Sequence, residues 1–256
     1  MMELFLQSAV IIIGYATVWF FLSLLFKRND IADIAWGLGY ILLCGYYLFT
    51  QEVSGRALIL YALVFLWGMR LAIYVYFRNK GKPEDSRYKT WRDEWGKWFF
   101  IRSYFQVYLF QGLFLLLIIF PVTIVASSPQ PSLNMLNILG IGIWMIGFFF
   151  ETVGDYQLSQ FLQHRSQHKG KVLKTGLWKY SRHPNYFGEV TMWWGVFLVA
   201  IGSPNGMWGI ISPLVITFLI LFVSGIPMLE KKKQGDIEYE AYKKKTSVFF
   251  PLPPKI

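Results

Sequence analysis

LFLQSAVIIIGYATVWFFLSLLF, residues 4–26, contains no charged side chain and stops at Lys27 and Arg28. A helix that crosses bilayer hydrocarbon needs roughly 20 consecutive apolar residues, and this stretch meets that length; a half-buried soluble helix would carry a polar face instead. It lacks the basic n-region and small-residue cleavage site of a secretory leader and exceeds the length of an h-region, so it is expected to stay as a helix.

Further apolar blocks follow at 31–49, 57–77, 104–125, 135–159, 187–201 and 207–229. Seven crossings are therefore expected. The sixth is short, which calls for tilt, a polar start inside the membrane, or a hairpin with the seventh around SPNG at 203–206. Composition agrees: 55% of residues are hydrophobic, 19% aromatic and 16% charged, with a mean hydropathy of +0.40, well beyond the apolar content of soluble domains. The fold class is all-α, a polytopic membrane protein forming one domain over residues 1–256.

Charge distribution tests that map independently, because Lys and Arg collect in cytoplasmic loops. Cations follow the first block, fill 78–102 after the third, recur from Arg165 and Lys169 to Arg182 after the fifth, and crowd the tail from Lys231 to Lys255. The alternate loops hold Arg56 alone, with none in SSPQPSLN (127–134) or SPNG. This pattern places the N-terminus outside and the C-terminus in the cytoplasm. The net charge of +10 then reflects topology and the anionic headgroups of membrane lipids, and no nucleic-acid partner is expected. No obligate protein partner is evident. The one cysteine, Cys44, excludes an internal disulfide and a thiolate metal cluster by count.

Ionisable groups in hydrocarbon are costly and mark functional sites or buried pairs. Asp33 opens the second block, Arg70 lies in the third, Glu151 and Asp155 close the fifth, and Glu189 opens the sixth; Gln106 and Gln111 add amides to the fourth. Glu151 and Asp155 share a helical face, where two carboxylates repel unless a cation or hydrogen-bonding group stands opposite. Two readings stay open. Arg70 neutralises Asp33 or another carboxylate and the set locks helix packing, or the polar groups line a cavity open to the cytoplasm.

The second reading gains from KTGLWKYSRHPNYFGE, residues 174–189. Pro184 suits the first turn of a helix, where its missing N–H costs nothing, and it clusters His183, Asn185 and Glu189 at that helix start. His183 titrates near neutrality, Asn185 both donates and accepts, and Tyr180 and Tyr186 offer hydroxyls and ring faces. Lys171, Lys174, Lys179 and Arg182 suit phosphates. A loop of topogenic cations with interfacial tyrosines is the plainer alternative. Other motifs fail: WGLGY (36–40) has Leu42 where a third glycine would fall and belongs to an apolar helix, and His164 with His168 lacks a third ligand, so no Rossmann unit and no metal are expected. Gly140, Gly142 and Gly147 read as close helix contacts.

ETVGDYQLSQF (151–161), KGKVLKTGLWKYSRHPNYFGE (169–189), SGIPMLEKKK (224–233) and YKKKTSVFFPLPP (242–254) together resemble the bacterial branch of the steroid 5-alpha-reductase family, whose C-terminal domain has this order and spacing. The likeness is strongest over 151–251 and extends more weakly to DIADIAWG (30–37), FRNKGKP (77–83) and Gln111-Gly112. The RHPNY core is also similar to isoprenylcysteine carboxyl methyltransferases and sterol reductases. The resemblance implies a seven-helix reductase in a bacterial inner membrane that binds NADPH in a cytoplasm-facing cavity and reduces a carbon–carbon double bond, usually conjugated to a carbonyl, in a lipophilic small molecule. It places Asn79, Gly81, Pro83 and the basic Lys82 on the family's cofactor loop, Asp155 on its acidic position, and Asn185 and Glu189 on the pair near the nicotinamide.

The chain departs from the family where a glutamate and a tyrosine would hold the substrate carbonyl. Asp33 and Trp67 fall nearest, and tryptophan cannot donate that proton. Asp33, Arg70 and Tyr74 are therefore the expected catalytic set, polarising the carbonyl or relaying a proton. The expected cofactor set is Asn79, Lys82, Glu151, Asp155, Lys171, Lys174, Tyr180, Arg182, His183, Asn185, Tyr186 and Glu189. Trp36, Trp67, Gln106 and Gln111 are expected to bury a steroid-like, prenoid or fatty-acyl substrate. An S-adenosylmethionine-dependent methyltransferase keeps the same grip without phosphate contacts, and a non-enzymatic membrane protein uses the cluster for packing alone.

Overall fold

A computed structural model of the chain describes residues 1–128, 133–164 and 171–255; Arg165, His168 and Lys169 lie outside the described residues. Eleven α-helices run through the described residues, joined by shorter 3-10 and π turns, with one isolated parallel bridge between Ser181 and Ser247. Among the described residues, six helical runs are long and apolar enough to cross a membrane: Met2–Phe26, Ala32–Thr50, Gly55–Asn79, Ser86–Ala126, Met135–Gln163 and Gly206–Lys232. The sixth apolar block forms Pro184–Ala200, 17 residues, the shortest of the seven.

Two compact units make up the chain: residues 1–134 with 200–211, and residues 135–199 with 212–256. In the first unit, α1 (Met2–Phe26) ends where Lys27 turns left-handed at φ 55 and its N–H donates back to the carbonyl of Leu24. α2 (Ala32–Thr50) and α3 (Gly55–Asn79) cross at Gly37 and Gly68. A Cβ on either would stand 2.6 or 2.7 Å from the other's carbonyl oxygen, so WGLGY supplies a helix contact. Ser54 caps α3 by accepting from the Ala57 N–H at 3.1 Å. α4 (Ser86–Trp95) is capped by Asp85. α5 (Phe99–Arg102) and a π turn, Ser103–Leu109, lead into α6 (Phe110–Ala126).

Hydroxyls join three of these helices inside an otherwise apolar core of Tyr40, Leu43, Leu60, Val64, Ile118 and Ile119. Tyr47 Oη lies 2.8 Å from Ser8 Oγ on α1 and 2.8 Å from Thr123 Oγ1 on α6. Arg56, the lone cation of its loop, is fully buried and donates to Ser203 Oγ at 3.0 Å, tying the start of α3 to the 200–211 segment.

The second unit is built on α7 (Met135–Gln163) and α8 (Pro184–Ala200), which run antiparallel along a seam of small residues. Gly140 faces Gly195 and Gly147 faces Gly188, with carbonyl oxygens 2.5–2.7 Å from where a Cβ would be. Gly142 meets nothing within 4 Å, because the seam repeats every seventh residue and Gly142 falls off it; it is not the close contact the sequence suggested. α9 (Ile211–Phe218), a π turn at Leu219–Val223, α10 (Ile226–Lys232) and α11 (Ile237–Lys245) complete the unit. Asp236 caps α11 by accepting from Glu238 and Tyr239 N–H groups, both at 3.1 Å.

Candidate functional site

In the second unit, Glu151 and Asp155 are 3% and 5% exposed on the seam face of α7. The hydrogen-bonding group expected opposite them is Asn185, whose Nδ2 donates to Asp155 Oδ1 at 3.0 Å. The approach depends on Gly154, where a Cβ would lie 3.1 Å from the Asn185 nitrogen. With its amide hydrogens turned to Asp155, Asn185 keeps Oδ1 buried with no hydrogen-bond donor. A buried acceptor without a donor costs about 1–3 kcal/mol, and that cost is removed by a ligand N–H. Glu189, half-buried, lies one turn along α8.

His183, immediately before the helix, is buried and stacks on Tyr186 with ring centroids 5.7 Å apart at 18°. Its Nε2 stands 3.4 Å from Glu230 Oε1. Burial holds its pKa below the usual 6.5; Glu230 opposes that shift and Arg182 adds to it. Glu230 also accepts from Arg182 Nε at 2.8 Å and Tyr239 Oη at 3.3 Å. Arg182 Nη1 donates to the carbonyls of Lys243 and Thr246 at 3.1 and 3.3 Å. Arg182, expected at a phosphate, is thus turned to Glu230 and the tail.

The tail closes over this segment. The Arg182 N–H donates to Ser247 O at 2.8 Å, Ser181 Oγ to Phe249 O at 2.8 Å, and the Leu252 N–H to Tyr180 O at 3.0 Å. The Tyr180 ring is exposed, with Lys179 Nζ 5.8 Å away. Upstream, Trp178 Nε1 donates to Gly154 O at 3.1 Å and the Leu177 N–H to Gln157 Oε1 at 3.0 Å, fixing the loop to α7. Lys171 and Lys174 line a groove of about 670 Å³ with Gln157, Gln160, His164 and Glu238; Lys174 pairs with Glu238 at 2.7 Å. Sequence reasoning missed Glu230, because in MLEKKK it reads as one acid before topogenic lysines.

The first unit holds a polar cluster around Asp33. Asp33 accepts from Arg87 Nη2 at 2.9 Å, Arg78 Nη2 at 3.4 Å and Tyr88 Oη at 2.9 Å. Arg87 and Tyr88 belong to α4, a helix within the cation-rich stretch that follows α3. Asp30 takes both Arg28 Nε and Nη2, at 2.6 and 2.7 Å, and Glu84 accepts from Arg92 and the Asn29 N–H. Arg70 and Arg78 lie 5.7 and 5.8 Å from the Tyr74 ring centre. Asn79 Oδ1 accepts from Arg78 Nε at 3.2 Å, and Lys82 contributes its carbonyl to Arg28 at 3.4 Å.

The expected substrate residues divide. Trp36 and Gln111 line one cavity with Tyr15, Trp19 and Tyr108, but it measures about 20 Å³, room for one water. Trp67 is buried edge-to-face on Tyr40, centroids 5.1 Å apart. Gln106 lies on the exposed side of the π turn.

Among the described residues, six helical runs long and apolar enough to cross a membrane define the molecule as an all-helical, multi-pass integral membrane protein. By its match over residues 19–246, the chain belongs to the family described as "Protein of unknown function (DUF1295)". It is similar to the Uncharacterized protein C594.04c of Schizosaccharomyces pombe (strain 972 / ATCC 24843), at 27% identity over 242 residues covering 84% of this chain and 66% of the relative. The chain thus spans just under two thirds of that protein. No solved structure matches it.

Proposed function

We propose that this protein is a membrane reductase that takes NADPH and reduces a carbon–carbon double bond, conjugated to a carbonyl, in a lipophilic steroid-like, prenoid or fatty-acyl molecule. The observation that carries the reading is Asn185: its amide is oriented by Asp155, and its buried Oδ1 lacks a donor. A carboxamide NH2 is the donor that fits. When bound, NADPH supplies hydride. Asp155 and Asn185 hold the carboxamide end, while Lys171 and Lys174 offer charge to phosphates. Arg182 and Glu230 fasten the tail that covers the segment. The helices are assigned seven crossings, with the N-terminus outside.

One observation favours a methyltransferase as the second reading. Arg182 is engaged by Glu230 and backbone carbonyls, and the carboxylates of α7 suit the ammonium and sulfonium of S-adenosylmethionine, a cofactor without phosphate. Thermal shift of detergent-purified protein with NADPH, NADH and S-adenosylmethionine separates the two, since a ligand at a hundred times its Kd stabilises by about 2.7 kcal/mol. Preferential stabilisation by NADPH is expected; preferential stabilisation by S-adenosylmethionine would sink the reductase reading. Asn185→Ala should weaken NADPH binding about tenfold, the worth of one hydrogen bond to a buried amide, while the unliganded protein stays folded. Unchanged affinity would remove the cofactor from Asn185.

A further inference from the structure

Arginines and lysines of the first unit separate by role. Arg28, Arg78, Arg87 and Arg92 each meet a carboxylate. Lys27, Lys80, Lys82, Lys89, Lys97 and Arg102 are exposed and make no ion pair with another described residue; Lys97 and Arg102 stand apart in flanking the exposed apolar side chains of Trp98, Phe100 and Ile101. Both belong to the helical run Ser86–Ala126, whose 41 residues are about twice what a crossing needs. The apolar part, 104–125, suffices for the crossing and leaves 86–103 at the membrane surface.

The local structure fixes which side chains face outward there. Tyr88, Trp91 and Trp95 of α4 pack inward against Ala16, Ala32, Val107 and Tyr108, with the two indoles stacked 5.5 Å apart. At Gly96 the backbone turns left-handed, φ 47. Beyond it Trp98, Phe100 and Ile101 are 53%, 57% and 55% exposed, and Lys97 Nζ lies 5.8 Å from the Trp98 ring centre. Exposed indole and phenyl groups at a membrane edge sit at headgroup depth, and cations beside them meet lipid phosphates. Asp93 and Glu94, exposed on the turn before Gly96, repel a phosphate and bound the surface on that side.

We infer that the segment from Gly96 to Arg102 is a docking surface for anionic phospholipid headgroups, with Lys97 and Arg102 taking phosphate and Trp98, Phe100 and Ile101 seated among the acyl chains and glycerol. It is independent of the proposed cofactor, which concerns the second unit.

The test uses full-length protein in phosphatidylcholine nanodiscs titrated with phosphatidylglycerol and read by thermal unfolding. Each cation removed should weaken the apparent affinity for phosphatidylglycerol about fivefold, so Lys97→Gln with Arg102→Gln loses about 25-fold. Lys244→Gln with Lys245→Gln, the same charge change on α11, should stay within about twofold of the parent. Lys97→Gln alone, at an exposed position, gives the single-cation step should the double variant fold poorly. Equal losses in the two double variants would show diffuse attraction and overturn the site. Equal stabilisation of detergent-purified protein by inorganic phosphate would overturn the lipid as occupant.

Discussion

His183 shows how burial turns a residue visible in sequence into one with a defined charge state. It is 4% exposed, and burial lowers its pKa below 6.5. The folded protein therefore prefers the neutral imidazole. That preference is fully present above pH 6.5 and is lost as pH falls through the lower folded-state value. Thermal unfolding in detergent should accordingly drop on acidification below pH 6.5, and His183→Gln should flatten that limb; an unchanged slope in the variant would place the titration elsewhere. His183, Asn185 and Asp155 were all legible as chemistry-bearing residues, since polar groups at an apolar helix start stand out. Glu230 and Tyr88 were not, because each is one polar residue in a charged stretch and acquires its role from a partner far along the chain, Arg182 and Asp33.

Among elements, the α7–α8 pair is held by close backbone contact along a glycine seam, with a hydrogen bond toward each end, Asn137 Nδ2 to Val199 O at 2.8 Å and Asn185 Nδ2 to Asp155 Oδ1 at 3.0 Å. Gly147 and Gly188 let the backbones touch, and a side chain at Gly147 would meet Gly188 O at 2.6 Å and Met192 at 2.7 Å. Gly147→Leu should destabilise by about 1–3 kcal/mol or more through overpacking, measured by denaturant or thermal unfolding. Gly142→Leu, which enters open space, should stay within about 0.5 kcal/mol of the parent. Matching effects at the two positions would refute the seam. The sequence showed three glycines on one apolar helix but not which faced a partner, because that depends on the register of α8. α4 was hidden for a related reason: its charged outer side reads as loop, and its Trp91 and Trp95 show their packing only once α1 and the π turn stand behind them.

For the whole molecule, the number of crossings depends on Pro184–Ala200, whose 17 residues fall short of a comfortable span. Pro204 and Asn205 are exposed just beyond it, and the native Cys44 is buried. With seven crossings and the N-terminus outside, Asn205→Cys should react with a membrane-impermeant maleimide on intact cells, whereas Lys80→Cys should react only after permeabilisation. Labelling of Lys80→Cys on intact cells would invert the topology.

The sequence by itself determined that the chain is helical, apolar and repeatedly membrane-crossing, and that polar chemistry gathers around residues 151–189. Those are local properties, set by the solvent each short segment must satisfy. Only the tertiary structure decided the pairings: Asp33 with Arg87 across 54 positions, and Arg182 with Glu230 across 48. Arg70, expected to neutralise Asp33 or another carboxylate, lies 5.7 Å from the Tyr74 ring centre. A buried charge needs a counter-charge at hydrogen-bonding distance, and which residue reaches that distance is settled by helix register and by the path of the returning tail.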